Sequence, residues 1–365
     1  MAKSDDDSDH SDYSLTRRRF VTMTACAAGL LPLGSNFGFA ENGPAQNNGA
    51  QRKGAVPYRT LGRTGEKVSL IGVGGYHLGK QDVSEDEAVR IVRTAIDNGV
   101  NFIDNSWDYN NGVSEQRLGK ALQNGYRQKV FLMTKIDGRD AKTAAQQLDQ
   151  SLQRLKTDHL DLLQFHEVIR MNDADRVFAP GGALEAALAA KKAGKLHYIG
   201  FTGHKSPEIH LHMLEVAKQH NFHFDTVQMP LNIFDAHFDS FQKKVLPVAV
   251  KEGIGILGMK PMGDHFLLET KTVTPAECLH WEMNLPTSVV ITGIDSMNIL
   301  RQNLKAARDF QPLSEQEITT LMQKTAQVAK NGEYEKYKTS HHFDSTYHNP
   351  QWLGPKGQAG EPAPA

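Results

Sequence analysis

Residues 68–104, VSLIGVGGYHLGKQDVSEDEAVRIVRTAIDNGVNFID, contain the alternation of strand and helix that decides the fold. The segment opens with an apolar run, Val68–Val73, which ends in glycines and predicts a buried strand. Ser84–Glu87 then forms a capping box, which predicts the start of a helix. Apolar residues follow at the spacing of an amphipathic helix, and Gly99 predicts its C-terminal cap. A second strand is predicted at Val100–Asp104, so the segment is one strand–helix–strand unit.

The same alternation continues to about residue 308. Six further apolar runs predict strands at Val130–Lys135, Leu160–His166, Leu196–Thr202, Thr226–Met229, Ile254–Met259 and Ser288–Ile291. Helical patterns separate them at 114–123, 144–155, 182–193, after Ser206-Pro207, at 240–252, after Thr274-Pro275 and at 297–308. Eight strand–helix repeats in about 240 residues favour a (β/α)8 TIM barrel. A doubly wound sheet would need a G-x-G-x-x-G turn that opens a helix after the first strand, and none stands there.

The composition is that of an ordinary soluble globular protein and excludes several classes. The 365 residues carry 41 Lys and Arg against 42 Asp and Glu. This balance lacks the positive excess of a nucleic-acid-binding protein. Two cysteines are too few for a disulfide scaffold. No apolar run stays free of charge for the roughly 18 residues that a membrane helix needs.

The two ends of the chain differ in composition from the predicted barrel. The segment TRRRFV (16–21) and the weakly apolar stretch after it resemble a twin-arginine export signal, with cleavage near Ala40. The resemblance implies the twin-arginine export machinery as a partner and a periplasmic or extracytoplasmic location. The predicted organisation is a signal peptide (1–40), a flexible linker (41–55), the barrel with an N-terminal β-hairpin (56–310), a C-terminal helix with an aromatic, His-rich tail (311–352) and a disordered end (353–365).

Four polar residues stand at or just after predicted strand ends, where barrel enzymes place their chemistry. Asp104 ends the second strand, Tyr109 follows it, Lys135 ends the third strand and His166 the fourth. A phenol with a pKa of about 10 is a poor acid or base near neutrality, and a neighbouring ammonium would lower that pKa. The Asp104 carboxylate would hold the Lys135 cation in place. His166 would bind a substrate carbonyl oxygen or relay a proton to Tyr109.

These residues stand in motifs that resemble those of the aldo-keto reductase family, namely FIDNSWDY (102–109), FLMTK (131–135) and LDLLQFH (160–166). The resemblance covers roughly residues 57–310. It implies hydride transfer between nicotinamide C4 of NAD(P) and a small carbonyl or alcohol substrate, with Tyr109 as general acid or base and Asp104, Lys135 and His166 completing the catalytic set. No metal site, nucleic-acid partner or stable membrane span in the mature form is expected.

The cofactor-binding positions that the resemblance implies carry the family's usual residues only in part. Thr202 and Gly203 stand where many relatives have Ser-Asn, and Gln228 matches the Gln that binds the nicotinamide carboxamide. Met259 stands where many relatives stack a Tyr. The remaining expected contacts are Gly75, Lys260, Gly263, Gly293, Gln302 and Asn303. Gly293 lies where NADP-preferring relatives usually carry cations, so the cofactor is expected to be NAD(P) with a lean to NAD.

Several questions stay open on the sequence alone. The barrel could be a cofactor-binding regulatory protein without turnover, or Asp104 and His166 could serve a metal-assisted hydrolase or isomerase. Tyr76 and Trp107 lie on loops at the predicted active-site face and are expected to contact substrate, although loop packing explains them equally well. An exported reductase would find no pool of free dinucleotide. We therefore expect the dinucleotide to stay bound and to be recycled in place.

Overall fold

The computed structural model describes residues 55–355. The predicted signal peptide, nearly all of the predicted linker and the last ten residues lie outside the described residues, so those assignments stay predictions. Within residues 55–355, no helix is both long and apolar enough to cross a bilayer.

The described chain contains a short antiparallel hairpin followed by eight parallel strands that close into a barrel. The hairpin strands are β1 (Tyr58–Thr60) and β2 (Lys67–Ser69); the barrel strands are β3 (Ile71–Gly74), β4 (Phe102–Asp104), β5 (Phe131–Ile136), β6 (Leu160–Phe165), β7 (Leu196–Thr202), β8 (Thr226–Pro230), β9 (Gly255–Met259) and β10 (Val289–Gly293). Each barrel strand pairs with the next, and β10 pairs with β3 to close the ring. The predicted (β/α)8 barrel is therefore confirmed.

Helices connect the barrel strands on the outside. They are α1 (Glu85–Asp97), α2 (Val113–Ala121), α3 (Ala141–Leu155), α4 (Met171–Phe178), α5 (Ala183–Lys192), α6 (Pro207–Gln219), α7 (Phe241–Lys244), α8 (Leu246–Lys251), α9 (Phe266–Glu269), α10 (Pro275–Asn284) and α11 (Met297–Asp309), followed by α12 (Glu315–Ala329), α13 (Lys336–Thr339) and α14 (Ser345–His348). Capping side chains at Ser84, Asp140, Ser206 and Ser296 accept backbone N–H groups at the starts of α1, α3, α6 and α11. The expected helix starts follow from these caps.

The apolar core of the barrel itself has two layers. Phe102, Met133 and Leu162 are buried inside the barrel, and a larger layer packs between the strands and the helices. The hairpin contributes Leu61 and Val68 to the inner layer. The backbone N–H of Arg63, in the hairpin turn, donates to the Gly253 carbonyl just before β9. The hairpin therefore covers the N-terminal end of the barrel and leaves the C-terminal end, here called the mouth, for chemistry.

Three local predictions are corrected by the structure. The first predicted strand, Val68–Val73, is two strands, because the chain leaves the hairpin at Leu70 before it enters β3. The predicted helix at 240–252 is two helices, α7 and α8. Pro247 stands in the first turn of α8 and has no N–H to continue α7. Between β6 and α5, where no helix is predicted, the chain forms α4, whose start is capped from inside by the Asp173 carboxylate.

Residues 330–353, here called the tail, lie across part of the mouth. Asp344 pairs with Lys205 after β7, Thr346 accepts a hydrogen bond from Arg170 after β6, and the Trp352 carbonyl accepts one from Gln147 of α3. The tail therefore crosses the C-terminal end of the barrel.

Candidate active site

The four residues expected to form the catalytic set lie together at the mouth. Lys135 on β5 donates from Nζ to the Asp104 carboxylate at the end of β4, to the Asn105 carbonyl at 2.8 Å and to the Tyr109 hydroxyl at 3.1 Å. Asp104 and Lys135 are 2% and 1% exposed, so this ion pair is almost fully removed from water. The Tyr109 and His166 rings meet edge to face with centroids 5.7 Å apart.

The chain after β4 bends sharply to bring Tyr109 back over Lys135. Asn110 and Asn111 both adopt left-handed backbone angles, with φ of 52° and 55°. Asparagine tolerates this conformation better than most residues, although it is still a strained region for any residue with a side chain. The Asn110 side chain holds the bend by donating to the Tyr76 carbonyl at 2.7 Å.

The pKa of Tyr109 differs from the sequence expectation. Burial and the nearby carboxylates, Asp104 first among them, raise it well above its ordinary value. The expected lowering of this pKa is wrong for this structure, because burial and the carboxylates outweigh the nearby Lys135 cation. Tyr109 is therefore a protonated phenol at neutral pH, which is the form that can donate a proton.

The surroundings of His166 include two carboxylates that the sequence analysis missed. Its Nδ1 lies 3.0 Å from Asp137 Oδ1, 3.3 Å from Asp108 Oδ1 and 3.2 Å from Ser106 Oγ. Burial opposes a charge on His166, but Asp108 and Asp137 outweigh it and raise its pKa to about 10. Burial and Asp108 raise the pKa of Asp137 to about 6. The sequence does offer one signal for these acids. Asp108 directly precedes Tyr109, and Asp137 follows Lys135 by two residues.

The residues expected to hold the nicotinamide carboxamide lie beside the catalytic set. Gln228 on β8 donates from Nε2 to Asp104 Oδ2 at 2.7 Å, and its Oε1 is buried without a partner among the described residues. The Thr202 hydroxyl, at the end of β7, has only a long contact of 3.9 Å to the Met259 sulfur. One buried acceptor and one weakly engaged hydroxyl therefore remain to bind an amide group.

Gly203 has no room for the side chain that many relatives carry. A Cβ there would lie 2.3 Å from the Val168 carbonyl oxygen and 2.8 Å from the His210 ring. Next to it, His204 does not cap α6, which Ser206 caps. His204 Nε2 instead pairs with Asp344 of the tail at 2.9 Å.

The residues expected near the other end of the dinucleotide differ in burial and in packing. A Cβ on Gly293 would lie 2.3 Å from the His77 ring, so His77 fills the space where a larger side chain would begin. Asn303 is buried; it donates to Thr292 Oγ1 at 3.2 Å, and its Oδ1 has no partner among the described residues. Gln302 is exposed on the same helix. Gly75 lies closely against the Asp104 backbone and the Asn105 side chain.

The loop after β9 has an unusual backbone and contacts the tail. Lys260 and Gly263 both have positive φ, 57° and 56°. The Lys260 ammonium lies 5.4 Å from the Tyr337 ring centroid and 5.0 Å from that of Phe343. Burial is the main reason that its pKa is lowered.

The two expected substrate contacts lie at different places on the rim of the mouth. Tyr76 is 48% exposed, and its ring meets the Tyr109 ring edge to face with centroids 5.5 Å apart. Trp107 donates from Nε1 to Gln150 at 2.7 Å and packs edge to face on Trp352 of the tail. Tyr76 therefore lies next to the Tyr109 phenol, whereas Trp107 joins α3 to the tail.

Comparisons with known proteins identify the family of this chain. The sequence profile of the Aldo/keto reductase family matches residues 70–278. L-galactose dehydrogenase of Arabidopsis thaliana is 27% identical over 76% of this chain and 96% of that protein. The uncharacterized oxidoreductase YrpG of Bacillus subtilis is 30% identical over 58% of this chain and 68% of that protein.

A solved structure shares the fold. The aldo-keto reductase AKR11C1 from Bacillus halodurans, in its holo form, superposes with a TM-score of 0.63 and 23% identity, covering 77% of this chain and 99% of that one. The matches favour an oxidoreductase over a regulatory barrel or a metal-assisted hydrolase. The chain belongs to the aldo/keto reductase family, whose members are oxidoreductases that generally use NAD(P)H.

Proposed function

We propose that this chain transfers hydride between nicotinamide C4 of NAD(P) and the carbon of a small carbonyl or alcohol, with Tyr109 as the general acid or base. The observation that carries the proposal is the single Lys135 ammonium that contacts both the Asp104 carboxylate and the Tyr109 hydroxyl. In the reducing direction Tyr109 donates its proton to the substrate oxygen. Lys135 stabilises the phenolate that remains, and Asp104 holds Lys135 in place.

The residues at the mouth fit a nicotinamide dinucleotide. The unpartnered Gln228 Oε1 and the Thr202 hydroxyl supply an acceptor and a donor for a carboxamide. The bound cofactor would supply the hydride, while this chain's residues orient its ring and exclude water. The crowding of Gly293 by His77 and the charge of Asp295 nearby support NAD over NADP, because neither favours a 2′-phosphate.

The direct test is the variant Tyr109→Phe. We expect kcat for carbonyl reduction to fall by about 100-fold or more, because the proton donor is lost. Dinucleotide binding, measured by quenching of protein fluorescence, should change little.

Aldoses, L-galactose among them, are the first substrates to assay, since the Arabidopsis relative is named L-galactose dehydrogenase. Tyr126→Phe is the matched control because its hydroxyl binds Asp97, away from the mouth. Unchanged turnover in Tyr109→Phe would refute the assignment.

We further propose that the chain is exported by its twin-arginine signal with the dinucleotide already bound. The signal lies outside the described residues, and its support is the motif at residues 16–21. Native mass spectrometry of the mature protein, purified without added cofactor, would give both the occupancy and the identity of the dinucleotide. We expect NAD at near one equivalent. A protein that emerges free of dinucleotide and binds it only weakly would contradict retention.

A further inference from the structure

Two buried carboxylates converge on one nitrogen of His166. Nδ1 is 3.0 Å from Asp137 and 3.3 Å from Asp108, and these two acids and His166 are 0%, 8% and 7% exposed. The acids come from different elements, since Asp108 precedes Tyr109 after β4 and Asp137 follows β5. Nε2, the other ring nitrogen, has no hydrogen-bond partner among the described residues, and the ring lies beside Tyr109.

Two carboxylates this close to each other need a nearby positive charge, because burial removes the water that would otherwise screen them. Among residues 55–355, the neighbouring cations already have other hydrogen-bond partners. The Arg139 guanidinium donates to Asp173 and to the carbonyls of Asp137, His166 and Glu167. Lys135 is committed to Asp104, Asn105 and Tyr109. The remaining group that can carry the charge is the imidazole itself.

The geometry points to Asp108 and Asp137 as positioning residues that keep His166 an imidazolium, so that its Nε2–H is a permanent donor to the substrate oxygen and not a proton relay to Tyr109. This inference rests on the proposed oxidoreductase function. The Nδ1–H points to Asp137, while Asp108 Oδ1 is close enough to attract the charge but lacks hydrogen-bond geometry. Asp137 therefore fixes the orientation of the ring, and both acids fix its charge.

The proton balance of the reaction is simple in this arrangement. In reduction the substrate carbon would gain the hydride from C4 of the reduced nicotinamide, which would be oxidised, and the substrate oxygen would gain the Tyr109 proton. This leaves a phenolate beside Lys135. Solvent returns the proton to Tyr109 before the next turnover. His166 neither gains nor loses a proton, and its charge stabilises the negative charge that develops on the substrate oxygen. The other titratable groups at this cluster are Tyr109, whose ring lies beside that of His166, and Lys135 and Glu167, whose charges act on Asp108 and Asp137 respectively.

The charge of His166 can be measured without any assay of activity. In 15N-histidine-labelled protein, His166 is assigned as the signal missing from His166→Gln. We expect both of its nitrogens to keep imidazolium shifts from pH 6 to pH 9, because the pKa is raised. In Asp108→Asn/Asp137→Asn the ring should titrate at least about two pH units lower. Asp137→Asn alone keeps an acceptor for Nδ1 and so preserves the orientation of the ring. A change in the His166 titration of this variant would therefore report the lost charge of the carboxylate.

Turnover gives a second readout. In the double variant, kcat for reduction should acquire a new loss above the lowered pKa of His166, which the wild type lacks below pH 9. Asp149→Asn, on the exposed side of α3, is the matched control and should leave both profiles unchanged. Circular dichroism checks folding, and Asp108→Asn alone serves if the double variant does not fold.

Three outcomes would overturn the inference. They are a neutral His166 in the wild type at pH 8, a His166 titration that the substitutions leave unchanged, or one equivalent of a divalent cation bound at the two acids in the purified protein. A turnover that survives Tyr109→Phe would instead refute the proposed function, and the histidine spectrum would still report the charge. The two failures are therefore distinguishable.

Discussion

Lys135 makes the most hydrogen bonds within the candidate catalytic set, because its ammonium joins a strand end, a backbone carbonyl and the Tyr109 phenol. Its pair with Asp104 is buried, so each partner compensates a charge that would otherwise be costly. A surface pair such as Lys120–Glu85, with both side chains nearly half exposed, contributes much less.

The variant Lys135→Met should therefore destabilise the protein by about 3–5 kcal/mol, since it leaves the Asp104 carboxylate buried and unpaired. Adding Asp104→Asn should recover part of this loss, because the second change removes the uncompensated charge. Guanidinium unfolding followed by circular dichroism measures both. Lys120→Met is the control, with an expected effect below about 1 kcal/mol. Equal effects of Lys135→Met and Lys120→Met would show that the buried pair contributes nothing special.

For individual residues, the sequence predicts which side chains belong to the candidate site better than it predicts their surroundings. Asp104, Tyr109, Lys135 and His166 are recognisable because each stands at or near a strand end. The raised pKa of Tyr109 cannot be recognised in the sequence, because it depends on burial and on how many carboxylates meet around the phenol. Asp108 and Asp137 escape notice for the same reason, since they come together only across two neighbouring strands of the closed barrel.

The tail is the element whose role the sequence leaves most open. Its central acid, Asp344, is fully buried and accepts from His204, Lys205 and His341. Those contacts keep the pKa of Asp344 far below its ordinary value, despite the opposing effect of burial. The carboxylate therefore stays charged, and the anchor holds, until the solution is strongly acidic. Glu167, next to His166 in the chain, also accepts the backbone N–H groups of Ser345 and Thr346.

Removing this anchor with Asp344→Ala should release the tail locally while the barrel stays folded, because the barrel has its own core. Limited chymotrypsin digestion, followed by mass spectrometry, should then show cleavage around residues 337–347 at least about tenfold faster than in the wild type. His342→Ala is the control, since that side chain is exposed. If the two variants are cut at the same rate, Asp344 does not anchor the tail.

The helices show what local patterns reveal and what they miss. The starts of α1, α6 and α10 follow directly from Ser84, Ser206 and Thr274 with their capping bonds. The break between α7 and α8 follows from Pro247, whose effect the apolar pattern around it conceals. The start of α4 has no capping side chain ahead of it, because Asp173 within the helix supplies the acceptor.

On the scale of the whole molecule, the barrel separates stability at one end from chemistry at the other. The hairpin fills the N-terminal end with Leu61, which is fully buried, while the proposed catalytic set lies at the C-terminal end. This division is general for the fold, in which the N-terminal face carries stability and the opposite loops carry function.

The variant Leu61→Ala should therefore lower the free energy of unfolding by about 2–5 kcal/mol through the cavity that it leaves. At temperatures where the variant remains folded, kcat should stay close to the wild-type value, because the change lies at the far end of the barrel. Leu188→Ala, at an exposed position of α5, is the control and should change stability little. A large fall in kcat with unchanged stability would contradict the separation of the two ends.

The close approach of His77 to Gly293 governs which side chains position 293 can accept. A lysine or arginine there would place its first carbon against the imidazole, so the His77 side chain would have to move aside. A smaller residue at position 77 would open the same space without that movement. Under the proposed dinucleotide binding, a cation at position 293 should therefore be accepted more readily together with His77→Ala than alone.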